Sequence, residues 1–426
     1  MRVALLNPRW DFAGSIYFGC REPHFPLELG CAKVLLERAG HAADIFDGHL
    51  FDLTHEEVAA RVRDWRPDMV VVTTAPTYLF WRCAPPELRV PQQALAALRD
   101  VAAVKVAVGP HTSTTPAAAI RKLAVDVAVI GECEEALVEL ADGRRNVAGT
   151  IVRNGGDMIV TGGPRMTRFV GLPPLRWGED WVRRHRHHHH RFEAQPTGPG
   201  AEVESSRGCP YHCTFCAKET HRDVYRRRDL APLLDEIDRL AAQGVGYLYF
   251  IDEIFLPNRP LLEALAERPV KFGVQTRIDL WKPDMIRLLG AAGCVSVEAG
   301  VESLTPEGRD LLDKKCRLST ERLSELLILA KEHIPFVQAN LIEMAGDDEA
   351  LVQEWRDALR RRGVWANDPV PLFPYPGSPD YRRLWGEPDD SAWERAVDYY
   401  IERFGAFSDV QQGAPLPLRE LEAVPA

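Results

Sequence analysis

Short runs of Val, Ile, Leu and Ala recur through the first third of the chain, separated by longer stretches whose apolar residues repeat every three or four positions. The runs at 3–6, 43–46, 69–73, 105–108 and 125–130 predict strands. Helical spacing fills the intervals: Leu27, Cys31, Val34, Leu35 and Ala39 share one face, and Gly40 is placed to stop that helix. Apolar strands alternating with amphipathic helices indicate a parallel sheet covered on both sides. Residues 1–146 are therefore expected to form a doubly wound, Rossmann-like α/β domain, with any ligand beyond the carboxyl ends of its strands.

The regularity fails over 147–200, which is expected to hold a hairpin at Asn154-Gly155-Gly156-Asp157 and then a linker. The run His187, His188, His189 and His190 lies in that linker with no second group of spaced ligands, so it reads as solvated chain. A second strand and helix series follows. Strands are expected at 202–206, 247–251, 271–275, 295–298, 336–342 and 370–373, with helices that include 230–242 and 320–333. Six such units over 201–375 predict a partial (β/α)6, TIM-like barrel whose chemistry comes from the strand ends. Residues 376–426 form a C-terminal extension, and after Phe404 the Pro-containing tail is expected to be disordered at its end.

Length and composition narrow the class. At 426 residues the chain has room for about three domains of roughly 150 residues each. Apolar residues are 46% and charged residues 27%, the balance of a folded globular chain. No apolar stretch approaches the roughly 18 residues of a membrane span, so no membrane association is expected. The N-terminus lacks the pattern of a secretory signal, which points to the cytoplasm. A net charge of -10 argues against a phosphate-tracking surface, and no nucleic-acid partner is expected. The nine cysteines are odd in number and scattered, except for three within eight residues. That distribution suggests metal chemistry and not a disulfide framework.

The three are Cys209, Cys213 and Cys216, in the loop Arg207-Gly208-Cys209-Pro210-Tyr211-His212-Cys213-Thr214-Phe215-Cys216 just after a strand. Structural zinc would need a fourth ligand, which His212 or His221 could supply, but the spacing matches no common finger. Three thiolates on a 4Fe-4S cluster instead leave one iron open to a small molecule. The C-x3-C-x2-C loop, with an aromatic just before its third Cys, resembles the radical S-adenosylmethionine (SAM) superfamily. Three downstream segments fit in order: Tyr249-Phe250-Ile251-Asp252-Glu253, Gln275-Thr276-Arg277-Ile278-Asp279 and Val297-Glu298-Ala299-Gly300-Val301-Glu302-Ser303. The resemblance implies a 4Fe-4S cluster on the three cysteines, with SAM contacts from Phe215, Asp252, Glu253, Arg277, Glu298 and Glu302. Each of the charged residues could equally be a strand-end carboxylate or an ion-pair partner.

A doubly wound domain ahead of such a barrel resembles the cobalamin-binding subgroup of that superfamily. Pro26-Leu27-Glu28-Leu29-Gly30, Val108-Gly109-Pro110-His111-Thr112, Ile130-Gly131-Glu132-Cys133 and Pro374-Tyr375-Pro376-Gly377 carry the likeness. It implies cobalamin contacts from Trp10, Thr74, Tyr78, Gly109, His111, Thr112, Gly131 and Glu132. Many cobalamin proteins place an axial His after the first strand, and this chain has Asn7-Pro8-Arg9-Trp10 there. Asp47-Gly48-His49 imitates the motif after the second strand, with Asp52 where Gly is required. The expectation is cobalamin held without a His, its lower face covered from 74–81 by Tyr78 or Trp81. Cys20, Cys31, Cys83, Cys133, Cys294 and Cys316 read as packed hydrophobes.

The resemblance implies a class B methyltransferase. One SAM would methylate cobalt, and a second would give the 5'-deoxyadenosyl radical that activates a carbon of a small-molecule or natural-product substrate. An external electron donor such as flavodoxin or ferredoxin would be required. The alternative is a non-methylating radical enzyme, an epimerase among them, with Cys294 or Cys316 as hydrogen-atom donor. A non-catalytic electron-transfer protein fits poorly with an incompletely ligated cluster.

Overall fold

A computed structural model of the chain describes all residues except 17–20, 78–83, 156, 186–197, 345, 405–413 and 424–426. It divides into two compact units: Met1–Leu175 with Cys216–Asp223 and Phe373–Ala426, and Arg176–Phe215 with Val224–Leu372.

The first unit is built on β1 (Arg2–Asn7), β2 (Ala42–Asp47), β3 (Met69–Thr73), β4 (Val104–Val108), β5 (Val127–Val129), β6 (Thr150–Asn154) and β7 (Asp157–Thr161). Their order in the sheet is 2-1-3-4-5-6-7, and β1 to β5 are parallel. Parallel strands need both faces covered. Val3, Leu5, Val71, Val106 and Val129 pack on one side, while Ala4, Leu6, Val70, Val72 and Ala107 pack on the other. The order reverses between β1 and β3, so the loops leaving these strands diverge and open the crevice where doubly wound sheets take ligands.

The hairpin expected in a linker is instead part of this sheet. β6 pairs antiparallel with β5 and β7 with β6. Its exit is fixed at Gly131, which bridges Arg165 at a φ of +90°, with ideal Cβ positions only 2.3 Å from the Arg165 carbonyl oxygen. The C-terminal segment also belongs to this unit. Phe373, Tyr381, Trp393, Val397 and Tyr400 form a core with Ile16, Ala75 and Ala84. The short helix Leu418–Leu421 adds Leu418 and Leu421 to that core, so this part of the expected disordered tail is packed. Residues 405–413 and 424–426 of the tail lie outside the described residues.

The second unit contains β8 (Gly200–Val203), β9 (Ser206–Arg207), β10 (Arg226–Arg227), β11 (Tyr247–Phe250), β12 (Lys271–Thr276), β13 (Cys294–Glu302), β14 (Phe336–Leu341) and β15 (Trp365–Ala366). β8 and β11 to β15 form a six-stranded parallel sheet in the order 15-14-13-12-11-8, and β9 pairs with β10 antiparallel. The helices Leu230–Ala242 and Thr320–His333 lie where their periodicity predicts. The strand expected at 370–373 does not form. Val370 makes one isolated bridge to Ile342, and β15 takes the edge position beside β14.

Gly131→Ala should destabilise the first unit by at least about 2 kcal/mol, because left-handed strain adds to a backbone clash. Gly40 also has a positive φ, +87°, but no atom lies within 4 Å of an added Cβ. Gly40→Ala should therefore cost only about 1 kcal/mol. Urea denaturation of both variants tests the contrast, and equal losses would show that the Arg165 approach is not the constraint.

Candidate functional site

In the second unit the cysteine loop starts at a glycine that no other residue can replace. Gly208 has a φ of +78°, and an added Cβ would lie 2.2 Å from the Val224 carbonyl oxygen. Its N–H donates to Glu253 Oε2 at 2.8 Å, so the strand-end carboxylate fixes the start of the loop. Cys213 is buried, and Cys209 and Cys216 are half-buried. Burial raises the Cys213 thiol pKa, while Lys314 and Arg277 pull it down. Glu302 and Asp313 add to the rise, so the net direction is upward and the two cations only limit the cost of the thiolate that metal binding requires. The unit boundary falls inside this loop, between Phe215 and Cys216.

Arg277 follows β12, and its guanidinium lies 4.1 Å from the centre of the Tyr211 ring. Nε and Nη2 donate to the two Asp279 oxygens at 3.1 and 2.7 Å. Nη1 is buried without a hydrogen-bond partner among the described residues. An oriented, unsatisfied guanidinium donor is costly to keep dry, and it suits an anionic group such as a carboxylate.

Asp252, expected to contact SAM, is buried at the end of β11. Its oxygens accept from Ser205 N at 2.8 Å, Ser205 Oγ at 2.6 Å and Ser206 Oγ at 2.6 Å. The carboxyl braces the strand that leads into the cysteine loop. Burial pushes its pKa up to about 7, against the serine hydrogen bonds that lower it. Glu298 accepts from Gln275 Nε2 at 2.7 Å. Glu302, at a φ of +71°, sits at a bulge in β13 and pairs with Lys314 at 3.0 Å. Gly300 makes room for that carboxylate, since an added Cβ would be 2.3 Å from Glu302 Oε1. Phe215 is half-buried in the loop itself.

Strand register sorts the second sheet into two faces. Leu248, Phe250, Phe272, Val274, Val297, Val337 and Ala339 share the apolar one. Glu202, Tyr249, Gln275, Ser296, Glu298, Gln338 and Asn340 share the other. In a closed barrel the inner layers are dominated by branched apolar residues, so a polar face here marks a surface that meets polar groups. Ser296 Oγ is buried with no hydrogen-bond partner among the described residues. Cys294 begins β13, and burial raises its thiol pKa to about 12. Its Sγ donates to the Ser296 carbonyl at 3.3 Å. Cys294 stands at the amino end of its strand, away from the carboxyl ends at which such folds conduct their chemistry. Cys316 is also buried.

In the first unit, the crevice-lining loops carry the expected cobalamin residues. After β1, Asn7 Nδ2 donates to Asp47 Oδ2 at 2.8 Å and Trp10 Nε1 donates to Asn7 Oδ1 at 2.9 Å, which closes the loop around a buried Trp10. His49 has both ring nitrogens engaged, by Trp10 N at 3.3 Å and the Arg21 carbonyl at 3.2 Å. Burial lowers its pKa to about 4. At the end of β3, the Thr73 and Thr74 hydroxyls are buried without hydrogen-bond partners among the described residues. Gly109 and Gly131 leave β4 and β5 with φ of 128° and 90°. At Gly109 such backbone permits close approach of a large ligand, whereas at Gly131 the Arg165 backbone takes that place.

The other expected contacts are engaged within the unit. Thr112 Oγ1 donates to the Gly109 carbonyl at 2.9 Å, and Glu132 Oε2 accepts from Thr167 N at 2.9 Å. His111 stacks on Trp393 at 4.2 Å, and its Nε2 lies 3.3 Å from the Pro86 carbonyl. Burial pushes its pKa down to about 3, so it is a neutral interior residue. Tyr78 and Trp81, Cys20 and Cys83, and the run His187 to His190 lie outside the described residues.

Several participants have no signal in the sequence. Ser205 and Ser206 hold Asp252, Tyr211 carries Arg277, and Glu28 meets Arg222 in a buried ion pair at 3.0 Å. Only spatial proximity links them. His221 Nδ1 lies 3.4 Å from Ser113 Oγ within the first unit, so this candidate zinc ligand is turned to a hydroxyl. Among the described residues no three His, Cys, Asp or Glu side chains converge as single-ion ligands. Cluster thiolates are spread more widely than the ligands of one zinc ion.

Each unit thus offers one candidate site: the strand ends at the switch point of the first sheet and the cysteine loop at a strand end of the second. Residues 203–359 match the family model described as radical SAM superfamily, and residues 20–141 match the B12 binding domain. The chain thus joins a segment that matches the B12 binding domain to one that matches the radical SAM superfamily. It is similar to the anaerobic magnesium-protoporphyrin IX monomethyl ester cyclase of Cereibacter sphaeroides, at 26% identity over 90% of this chain and 64% of that protein. An uncharacterized methyltransferase of Pyrococcus horikoshii is 23% identical over 74% of this chain and 68% of its own length. The chain thus spans less than two thirds of the cyclase. Among solved structures, the radical SAM methyltransferase TsrM of Kitasatospora setae superposes with a TM-score of 0.70 at 21% identity, covering 89% of this chain and 76% of that one. That likeness establishes the fold.

The Asp252 carboxyl gives a pH signature. Its pKa is about 7 in the folded chain against an ordinary 3.8, so the native state retains a proton that the unfolded chain releases. Its contribution to stability is full below about pH 4 and lost as pH rises through about 7, by about 4 kcal/mol at most. The urea midpoint of Asp252→Asn relative to the parent should therefore rise between pH 5 and pH 8. A constant difference would show that the buried carboxyl stays ionised throughout.

Proposed function

We propose that this chain is a cobalamin-dependent radical SAM enzyme that methylates an unactivated carbon of a polar small molecule. The observation that carries the reading is the coexistence, in one chain, of the cysteine loop beside a buried, unsatisfied Arg277 donor and a switch-point crevice with two unsatisfied threonine hydroxyls. The donor sets fit the cofactors. Cys209, Cys213 and Cys216 hold a 4Fe-4S cluster, and Lys314 and Arg277 offset the charge of Cys213. Arg277 Nη1 holds the SAM carboxylate, with Phe215, Glu253, Glu298 and Glu302 lining the same strand ends. Asp252 acts through Ser205 and Ser206 as a positioning residue.

In the first unit Trp10, Thr74, Gly109, Thr112, Gly131 and Glu132 surround cobalamin, and Thr73 and Thr74 supply hydroxyls to it. Both ring nitrogens of His49 are engaged by backbone groups, so it is not poised to ligate cobalt; His111 is buried with Nε2 at the Pro86 carbonyl and Nδ1 without a hydrogen-bond partner among the described residues. When bound, the cluster supplies the electron that cleaves SAM to a 5'-deoxyadenosyl radical, and cobalamin carries the methyl group. An external one-electron donor of the flavodoxin or ferredoxin type and a cytoplasmic setting complete the reading. The polar face from Glu202 to Asn340 favours a substrate rich in hydroxyl or amino groups, and it excludes water less by apolar packing than by specific hydrogen bonds.

The test is anaerobic reconstitution with iron, sulfide, cobalamin and SAM, followed by mass analysis of candidate polar substrates. The expected outcome is a product heavier by one methyl group, with S-adenosylhomocysteine and 5'-deoxyadenosine released in equal amounts. The triple variant Cys209→Ala, Cys213→Ala, Cys216→Ala should remain folded but lose cluster absorbance and SAM cleavage. Solvent deuterium in the product without a methyl group, abolished by Cys294→Ala or Cys316→Ala, would replace methylation with epimerisation. Near-normal iron in the triple variant would overturn the cluster assignment.

A further inference from the structure

The segment Cys216–Asp223 begins with the third cluster cysteine, yet it is packed as part of the first unit. Its last turn is tied inward by a buried relay. Arg222 is wholly buried, and its Nη2 donates to Glu28 Oε1 at 3.0 Å. The other Glu28 oxygen accepts from Thr77 Oγ1 at 2.6 Å, in the loop that leaves β3. A second connection runs through Ser113. Its Oγ donates to the Gly109 carbonyl at 2.8 Å and accepts from Gly131 N at 3.0 Å, and it lies 3.4 Å from His221 Nδ1. Backbone bonds from His221 N and Arg222 N to the Lys218 carbonyl, at 3.0 and 2.8 Å, make the segment a closed turn. The eight residues that open with Cys216 are therefore linked to the loop after β3 through Glu28, and to the segment after β4 through Ser113, which also holds Gly131 at the end of β5.

We propose that Glu28, Arg222 and Thr77 form a coupling relay, so that occupation of the crevice by cobalamin alters the setting of Cys216 and hence the electronic properties of the cluster. The inference rests on the proposed cobalamin reading. Its physical basis is that a buried ion pair has few alternative arrangements: moving one partner without the other leaves a buried charge unpaired. A shift of the β3 loop on ligand binding is thus carried to Arg222 and not absorbed locally. By linkage the effect is reciprocal, so the state of the cluster also alters cobalamin affinity. Glu28, Arg222 and Thr77 are positioning residues and touch no reacting atom.

The experiment uses the full chain with its cluster reconstituted, with and without hydroxocobalamin. Bound corrinoid is read by its absorbance after gel filtration, the cluster midpoint potential by EPR-monitored titration, and the 216–223 segment by hydrogen exchange. In the parent protein, cobalamin should shift the potential and slow exchange in 216–223 by about tenfold. Glu28→Gln and the milder Thr77→Val should still bind cobalamin and four irons but lose most of both responses. Thr77→Val leaves the ion pair intact, so it reads the relay even where Glu28→Gln folds poorly. Unchanged responses in Thr77→Val with cobalamin bound would overturn the coupling and leave the function standing. Failure of the parent protein to retain any corrinoid would overturn the proposed function, and the coupling with it.

Discussion

A parallel sheet buried on both faces has few places for polar chemistry, and the arrangement of this molecule follows from that constraint. In β1, β3 and β4 the interior positions are apolar throughout, so polar side chains first appear where the strands end: Asn7, Thr73 and Thr74, then Gly109 with its cluster of hydroxyls. The reversal of strand order between β1 and β3 separates two of these ends and creates a crevice. The second sheet obeys the same rule on its apolar face and departs from it on the other, where Gln275, Glu298 and Gln338 stand in register and Glu202 shares their face. Both candidate sites are consequences of strand direction before they are consequences of particular residues.

Buried charge then fixes the loops that the strand ends release. Glu253 and Asp252 are adjacent in the chain and serve the same loop by different means. Glu253 takes the Gly208 amide, and Asp252 takes the hydroxyls of Ser205 and Ser206. Glu28 with Arg222, and Glu302 with Lys314, do the same for neighbouring segments. Such pairs contribute little net stability once desolvation is counted, but they are intolerant of losing one partner. Their role is to select one geometry for loops that carry no regular structure. The glycines at 131, 208 and 300 serve that geometry from the other side, by allowing a backbone or carboxylate to approach where any Cβ would collide.

The sequence by itself determined the two strand series, the helices between them and the chemical identity of the cysteine loop. Each is a local property: a strand buried on both faces must be apolar, a covering helix must repeat its apolar face, and three thiols within eight residues need no distant partner to be recognised. It also placed Gly109 and Gly131 just after predicted strands.

Only the tertiary structure decided the rest. Residues 370–373 have the composition of a strand, but a strand exists only through its neighbour, and β15 holds that place instead. The hairpin looked like a connection because its pattern says nothing of β5, on which it extends the first sheet. Asp252 was legible as a strand-end carboxylate, whereas its capture by Ser205 and Ser206 depends on a neighbouring strand 46 or 47 positions away. Glu28 and Arg222 are 194 positions apart, and nothing in either local sequence marks the pair. Periodicity and spacing record what a segment must bury or bind; which distant side chain satisfies a buried charge is set by packing, and packing is a property of the folded chain alone.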